Sequence, residues 1–183
     1  MCLERTCTLT EHNETLGIDV GGVIIDRAND VTDTSFFSEN FLQTTAVPGA
    51  FGAIARLVRE RFHGQAHVVS KCGIKIQHKT RKWLEHHSFH PRTEIPRDNV
   101  HFCINRHDKA PICKELGITH FIDDRLDVLT HMEDLVPHCY LFNPRPDDAA
   151  AHARDNGNII LVASWEELLK LLLTRAIPTP HSS

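Results

Sequence analysis

The run Leu16-Gly17-Ile18-Asp19-Val20-Gly21-Gly22-Val23-Ile24-Ile25-Asp26 constrains this chain more than any other stretch. An apolar segment delivers one carboxylate, Asp19, into a Gly-Gly turn, and a second apolar segment carries the chain away. Apolar flanks of this kind read as a buried parallel strand. A charged side chain at the end of such a strand is costly unless something pairs with it, so Asp19 is expected to face a ligand or a metal. The glycine pair lets backbone amides and carbonyls approach that ligand closely. Taken alone, Asp19 fits equally well as a strand-end aspartate anchoring its own loop.

Short apolar runs alternate with helical patterns along the rest of the chain. The runs are Leu16 to Ile25, His67 to Ser70, Val100 to Ile104, His120 to Asp124, Cys139 to Phe142 and Ile159 to Ala163. They are rich in Val, Ile and Phe and have strand length. Between them, Phe51, Ile54, Ala55, Val58 and Phe62 recur at helical spacing behind Pro48, which suits a first helical position. Ile76, Trp83, Leu84 and His87 mark a second helix, and a third starts near Pro111 and stops at Gly117. Asp127 to Leu135 and Asp147 to Arg154 are shorter candidates. The last helix opens on Ser164 and Glu167, a capping-box spacing, and buries Trp165, Leu168, Leu169 and Leu172. This alternation predicts an α/β fold, a three-layer, doubly wound, Rossmann-like parallel sheet with its ligand site beyond the carboxyl ends of the strands.

At 183 residues the chain suits one domain. It is expected to span 16–176, between a loose leader at 1–15 and a frayed tail at 177–183. The formal net charge of −4, with no basic block, argues against broad electrostatic binding of nucleic acid. No apolar stretch reaches membrane-spanning length, and the polar start does not read as a signal peptide, so none is expected. Six scattered cysteines without a CxxC pair read as reduced thiols, which points to the cytoplasm. Of the 14 histidines, His86, His87 and His90 cluster, but no Cys or Glu partner falls at a zinc-ligand interval. A solvated helix end is the expectation there.

The predicted strand ends carry the chemistry. The first delivers Asp19, then Gly21 and Gly22; the second ends at Ser70, followed by Lys71; the fourth ends in the adjacent acids Asp123 and Asp124. Lys109 stands just before the helix that leads into the fourth strand. Clustered carboxylates repel unless a hard cation lies between them, and Mg²⁺ with oxygen ligands fits that need. A hydroxyl and a lysine can hold phosphate oxygens, and an aspartate can act as a nucleophile toward phosphorus. Plainer roles exist for each: Ser70 as a helix cap, Asp127 as a helix N-terminal charge, and Lys71 or Lys114 as the phosphate-holding cation in place of Lys109. Cys72 lies near the site without a partner pattern for nucleophilic catalysis. No GxGxxG and no P-loop occurs, so a dinucleotide or P-loop nucleotide site is not expected.

In this order, the motifs resemble those of the haloacid dehalogenase-like hydrolase superfamily. Asp19-Val20-Gly21-Gly22-Val23 matches its first motif, Val68-Val69-Ser70 its second, Lys109-Ala110-Pro111 its third and Phe121-Ile122-Asp123-Asp124 its fourth. The resemblance covers about residues 16–145. It implies catalysis by Asp19, Ser70 and Lys109, substrate binding by Gly22, Ser70, Lys71 and Lys109, and Mg²⁺ held by Asp19, the Gly21 carbonyl, Asp123 and Asp124. One departure matters. The family's second motif-one acid, which protonates the leaving group, is Gly21 here, and losing a positioned general acid typically costs about 10²–10⁴-fold in rate. Asp26 or a histidine of the following loop is a candidate substitute.

The short gaps after Asp26 and after Ser70 leave no room for a sizeable cap domain, so the resemblance implies an open, capless site. Such sites take phosphorylated small molecules or macromolecules, or a cap supplied by another subunit of a homo-oligomer. The expectation is therefore a Mg²⁺-dependent phosphohydrolase working through an aspartyl-phosphate, slowed by Gly21. Its rivals are an idle domain that binds a phosphorylated ligand or protein partner, and a hydrolase of carbon–halogen or other non-phosphate bonds.

Overall fold

The computed structural model describes residues 14–27, 36–154 and 157–174. Its strands are β1 (Leu16–Ile18), β2 (Ala66–Lys71), β3 (Val100–Cys103), β4 (His120–Asp123), β5 (His138–Phe142) and β6 (Ile160–Val162). They form one six-stranded sheet in the order β3-β2-β1-β4-β5-β6, and every pairing is parallel. The chain winds outward from β1 in one direction and then the other, so the order reverses beside β1 and opens a crevice at the carboxyl ends of β1 and β4. The predicted doubly wound α/β architecture is what the chain adopts.

The helices cover both faces. One core layer packs α1 (Ala50–Glu60), α2 (Ile74–His86), α3 (Phe89–Thr93) and α7 (Trp165–Thr174) through Phe51, Trp83, Phe89 and Trp165. The other packs α4 (Lys109–Glu115) and α5 (Leu126–Leu129) through Cys113, Val128 and Leu129. Alternation along the strands feeds both layers: Ile122 of β4 points to the first and Phe121 to the second. Gly17 is required by that second layer, because a Cβ there would stand 2.4 Å from the Phe121 ring. A last helix, α6 (Pro146–His152), starts on a proline and packs against α5.

Several boundaries differ from the expectations, each for a local reason. The Leu16–Ile25 run is a strand only to Ile18. Beyond it the chain coils, with the Ile24 and Ile25 amides both donating to the Val20 carbonyl and the Gly22 amide to Ile25. Val20, Val23, Ile24 and Ile25 are apolar because this turn is buried, not because it is extended. Pro48 lies outside α1, whose cap is Gly49 at φ 78°. The third helix begins at Lys109 rather than near Pro111, and the Asp127–Leu135 candidate contracts to Leu126–Leu129. Ser164 and Glu167 do cap α7: Ser164 Oγ accepts the Glu167 amide and Glu167 Oε2 accepts the Ala163 amide.

Glu14 and Thr15, expected in the leader, are tied down. Glu14 pairs with Arg61, and Thr15 exchanges hydrogen bonds with Thr119. Residues 1–13, with Cys2 and Cys7, and the 175–183 tail lie outside the described residues. Cys72, Cys103, Cys113 and Cys139 are buried free thiols, as expected. Of the histidine cluster, His86 is exposed, while His87 and His90 are held by the Leu42 and Ile95 carbonyls. Among the described residues no helix is long and apolar enough to cross a membrane.

Candidate active site

Strand register assembles the site. Ile18 of β1 is level with Ile122 of β4 and with Val68 of β2, so Asp19 and Asp123 leave the sheet side by side, with Ser70 one residue farther along its strand. The Asp19 amide donates to the Ile122 carbonyl at 2.9 Å, fixing the start of the turn against β4. Lys109, the first residue of α4, reaches into the gap. Its Nζ donates to Asp19 Oδ1 at 2.7 Å and to Asp123 Oδ2 at 2.6 Å, with the lysine only 2% exposed. Asp123 Oδ1 accepts the Arg125 amide at 3.0 Å, which sets the carboxylate's orientation.

Carboxylate oxygens of Asp19, Asp123 and Asp124 lie within 4.8 Å of one another, all three residues being buried. Burial first, and the charge on Asp19 next, push Asp124 up to about 6 against the pull of Arg27. Asp123, wholly enclosed, is pushed up to about 7 by burial, with Lys109 pulling down and Asp19 and Asp124 pushing further up. Burial alone would lower the Lys109 ammonium, but Asp123 and Asp19 outweigh it and hold the lysine charged. Asp124 Oδ2 is in ion-pair contact with Arg27, yet no hydrogen bond reaches it among the described residues. Three buried carboxylates this close together offer a set of hard oxygen donors that fits a divalent cation.

Asp19, Lys109, Asp123 and Arg27 form part of the wall of a cavity of about 360 Å³. Asp19, Gly21, Asp26, Ser70, Lys71, Lys109 and Asp123 line it. Ser70 is not a helix cap: α2 starts at Ile74 behind Gly73, and the Ser70 hydroxyl faces the cavity without a hydrogen bond among the described residues. Lys71 is exposed at the cavity edge, whereas Lys114 does not line it. Gly21 sits at the surface of the cavity, and a Cβ there would meet nothing within 4 Å. Gly22 faces a shallower depression behind Arg27, and its amide already donates to Ile25. At φ 79°, a Cβ on Gly22 would stand 2.4 Å from Arg27 Nε, so only glycine lets that guanidinium lie over the turn. Burial and the neighbouring Asp19 charge push the Cys72 thiol up to about 11, which leaves it protonated and unreactive.

Some lining residues carried no sequence signal. Arg27, Arg106, Arg125 and Arg145 all face the cavity, as do Phe36 and Phe37. A lone surface arginine has no motif, although Arg106, Arg125 and Arg145 each follow a strand's carboxyl end, where the fold gathers ligand groups. Beyond Arg27 the segment is described from Phe36, and that part is a wall braced on α2: Lys79 donates to the Phe37 and Ser38 carbonyls and Trp83 Nε1 to the Thr44 carbonyl. Residues 28–35 of that segment lie outside the described residues.

The sequence matches no protein-family profile and no curated protein. Solved structures do match. A D,D-heptose 1,7-bisphosphate phosphatase from Burkholderia thailandensis aligns over 88% of this chain and 99% of its own, at 14% identity and a TM-score of 0.55. A haloacid dehalogenase-like hydrolase from Burkholderia xenovorans aligns over 71% of this chain and 60% of its own, at 15% identity and a TM-score of 0.51. The cobalt-bound deoxy-D-mannose-octulosonate 8-phosphate phosphatase of Haemophilus influenzae aligns over 88% of both chains, at 13% identity and a TM-score of 0.50. With Asp19, Ser70, Lys109 and Asp123 converging on one cavity at the sheet's switch point and Asp124 clustered with Asp19 and Asp123, the chain has the fold of the haloacid dehalogenase-like hydrolases.

Proposed function

We propose that the chain is a Mg²⁺-dependent phosphohydrolase that works through an aspartyl-phosphate on Asp19. The observation that carries this is the buried Lys109 ammonium held between Asp19 and Asp123, with Asp124 beside them and Ser70 open to the same cavity. Two of the similar structures are named as phosphatases, one of them in a cobalt-bound form, which supports the reading.

Asp19, Asp123 and Asp124, with the Gly21 carbonyl, would hold the cation, which when bound offsets the charge between an anionic nucleophile and an anionic phosphate. Lys109 fixes the Asp19 carboxylate by one oxygen, Oδ1, and so leaves Oδ2 to attack phosphorus. The P–O bond to the leaving group breaks as the Asp19–phosphorus bond forms. Ser70 supplies a hydroxyl to the phosphoryl oxygens from the β2 side of the cavity. Water then cleaves the aspartyl-phosphate and restores Asp19. At Gly21 no side chain can give the leaving oxygen its proton, so turnover is slow on poor leaving groups. Asp26, which also lines the cavity, is the carboxylate placed to take part of that role.

The test is hydrolysis of p-nitrophenyl phosphate by the full chain with and without Mg²⁺. Activity that requires the cation and disappears in Asp19→Asn supports the proposal. A folded wild type that releases no nitrophenol under any divalent cation overturns it and leaves a phosphate-binding domain.

A further inference from the structure

The phosphoryl site accounts for Lys109 and Arg27, each of which faces carboxylates of the acidic cluster. It does not account for the other cations of the cavity: Lys71, Arg106, Arg125 and Arg145. They come from four separate places along the sheet edge. Lys71 ends β2, and Arg106, Arg125 and Arg145 follow β3, β4 and β5. Their charge is only partly balanced. Arg106 and Arg125 share one carboxylate, Asp127, at 2.9 and 3.2 Å, and Asp148 stands 3.9 Å from Arg125. Lys71 and Arg145 have no ion-pair partner among the described residues.

Solvated surface lysines and arginines are common, but they are not usually aimed from separate loops into one concavity. Like charges gathered around one concavity repel one another, less strongly where solvent screens them, until an anion enters. Guanidinium groups bind phosphate by paired N–H donors, and three of these four cations are arginines. A single phosphate seated at Asp19 is already served by Ser70 and Lys109 below, so the rim is surplus for a simple monoester. Phe36, Phe37 and Ile76 add an apolar face to the same cavity, Phe37 being 65% exposed. At about 360 Å³ the cavity is of small-molecule size.

We propose that Lys71, Arg106, Arg125 and Arg145 form a second anion subsite, and that the substrate is a small bisphosphorylated molecule. One phosphate sits at Asp19, the organic body lies along Phe36 and Phe37, and the second phosphate is held at the rim. This rests on the phosphohydrolase reading for the role of the inner phosphate only. The rim's preference for two anionic groups over one is separable from catalysis.

The experiment is calorimetric titration of the Mg²⁺-loaded full chain with propyl phosphate, 1,3-propanediol bisphosphate and 1,5-pentanediol bisphosphate, with p-nitrophenyl phosphate hydrolysis measured on the same preparation. At least one bisphosphate is expected to bind tenfold or more tightly than propyl phosphate. Arg145→Gln should cut that ratio at least threefold, and Arg145→Lys should retain part of it. Arg145 is exposed and has no ion-pair partner, so these variants are expected to fold, and a circular dichroism melt checks that. Equal affinity for one and two phosphates, or a ratio indifferent to Arg145→Gln, overturns the subsite. If that happens while nitrophenol is released, the hydrolase reading stands alone. A bisphosphate preference without hydrolysis supports the subsite and overturns the hydrolase. Failure of all three probes to bind overturns the subsite, and nitrophenol release then decides the hydrolase separately.

Discussion

Lys109 Nζ lies 2.7 Å from Asp19 Oδ1 although 90 residues separate the two in sequence, and the same ammonium is 2.6 Å from Asp123. A lysine this deeply buried is tolerable only because the acids around it need its charge as much as it needs theirs. Replacing it by a neutral side chain of similar length removes one cation from a pocket of carboxylates. Lys109→Met is therefore expected to lose about 3–5 kcal/mol of stability in metal-free buffer, the usual cost of breaking a buried pair from one side. Hydrolysis should vanish with it. Urea unfolding with and without Mg²⁺ checks this, and the loss should shrink when the cation is present. An unchanged midpoint in metal-free buffer would mean that the ammonium does not hold the acids together.

The acids themselves give a pH-dependent metal response. Asp123 and Asp124 are pushed up to about 7 and about 6, above an unfolded value near 3.8. Between about pH 4 and 7 the folded chain thus binds protons that the unfolded chain has released. Their contribution to stability falls as pH rises through that window. A divalent cation competes with those protons, so its stabilising effect should grow in the same direction. At a concentration about 100-fold above its dissociation constant, Mg²⁺ should add about 2.7 kcal/mol at pH 8. That raises the melting temperature by roughly 5–10 °C for a chain of this size. At pH 5 the shift should be much smaller. Equal shifts at both pH values would argue that the cation binds elsewhere.

The strand-end chemistry was legible because it rests on spacing. An apolar run that stops at Asp19, Ser70 or Asp123 reads the same in a sequence as in a sheet, and parallel register then brings the ends together. What did not read was the meaning of the run after Asp19. Val20, Val23, Ile24 and Ile25 are as apolar as strand residues because a buried turn needs the same side chains, and composition cannot separate the two. Arg27 and Arg145 were silent for the opposite reason. Loop cations have no periodicity, and only the closure of loops around a cavity makes them neighbours. The network around His120 depends likewise on contacts distant in sequence.

That network predicts an acid-sensitive step away from the active site. His120, 1% exposed at the amino end of β4, sits beside Thr119, Arg61, Glu14 and His138. Arg61 can only donate, so Nε2 accepts and Nδ1 carries the hydrogen toward Thr119 Oγ1. Burial, and then the nearby His138, push its pKa down to about 3, with Glu14 opposing. The unfolded chain takes up a proton near pH 6.5 that the folded chain refuses, so stability is lost as pH falls from 6.5 toward 3. At pH 5 the cost is about 2 kcal/mol. His120→Gln should be less stable at pH 8, where a buried contact is lost, yet show a flatter decline between pH 7 and 5 than the wild type. Parallel declines in the two proteins would rule out His120 as the source.

Gly21 offers the most direct gain-of-function prediction. Its position lines the cavity, and a Cβ there meets nothing within 4 Å, so Gly21→Asp adds a carboxyl group without displacing a neighbour. A carboxyl at this point can give its proton to the leaving oxygen and then take one from the attacking water. Such a group typically contributes about 10²–10⁴-fold, and a graft into a site not tuned for it should return the lower part of that range. The gain must depend on the leaving group. p-Nitrophenolate departs without help, so its rate should rise only a few-fold, whereas an alkyl phosphate such as glycerol 3-phosphate should gain about 10²-fold in kcat. Steady-state kinetics on both substrates, with folding checked by circular dichroism, decides the matter. An equal gain on the two would point to an added metal ligand instead of a proton donor. No gain on the alkyl phosphate in a folded variant would show that Asp26 or another group already supplies the proton.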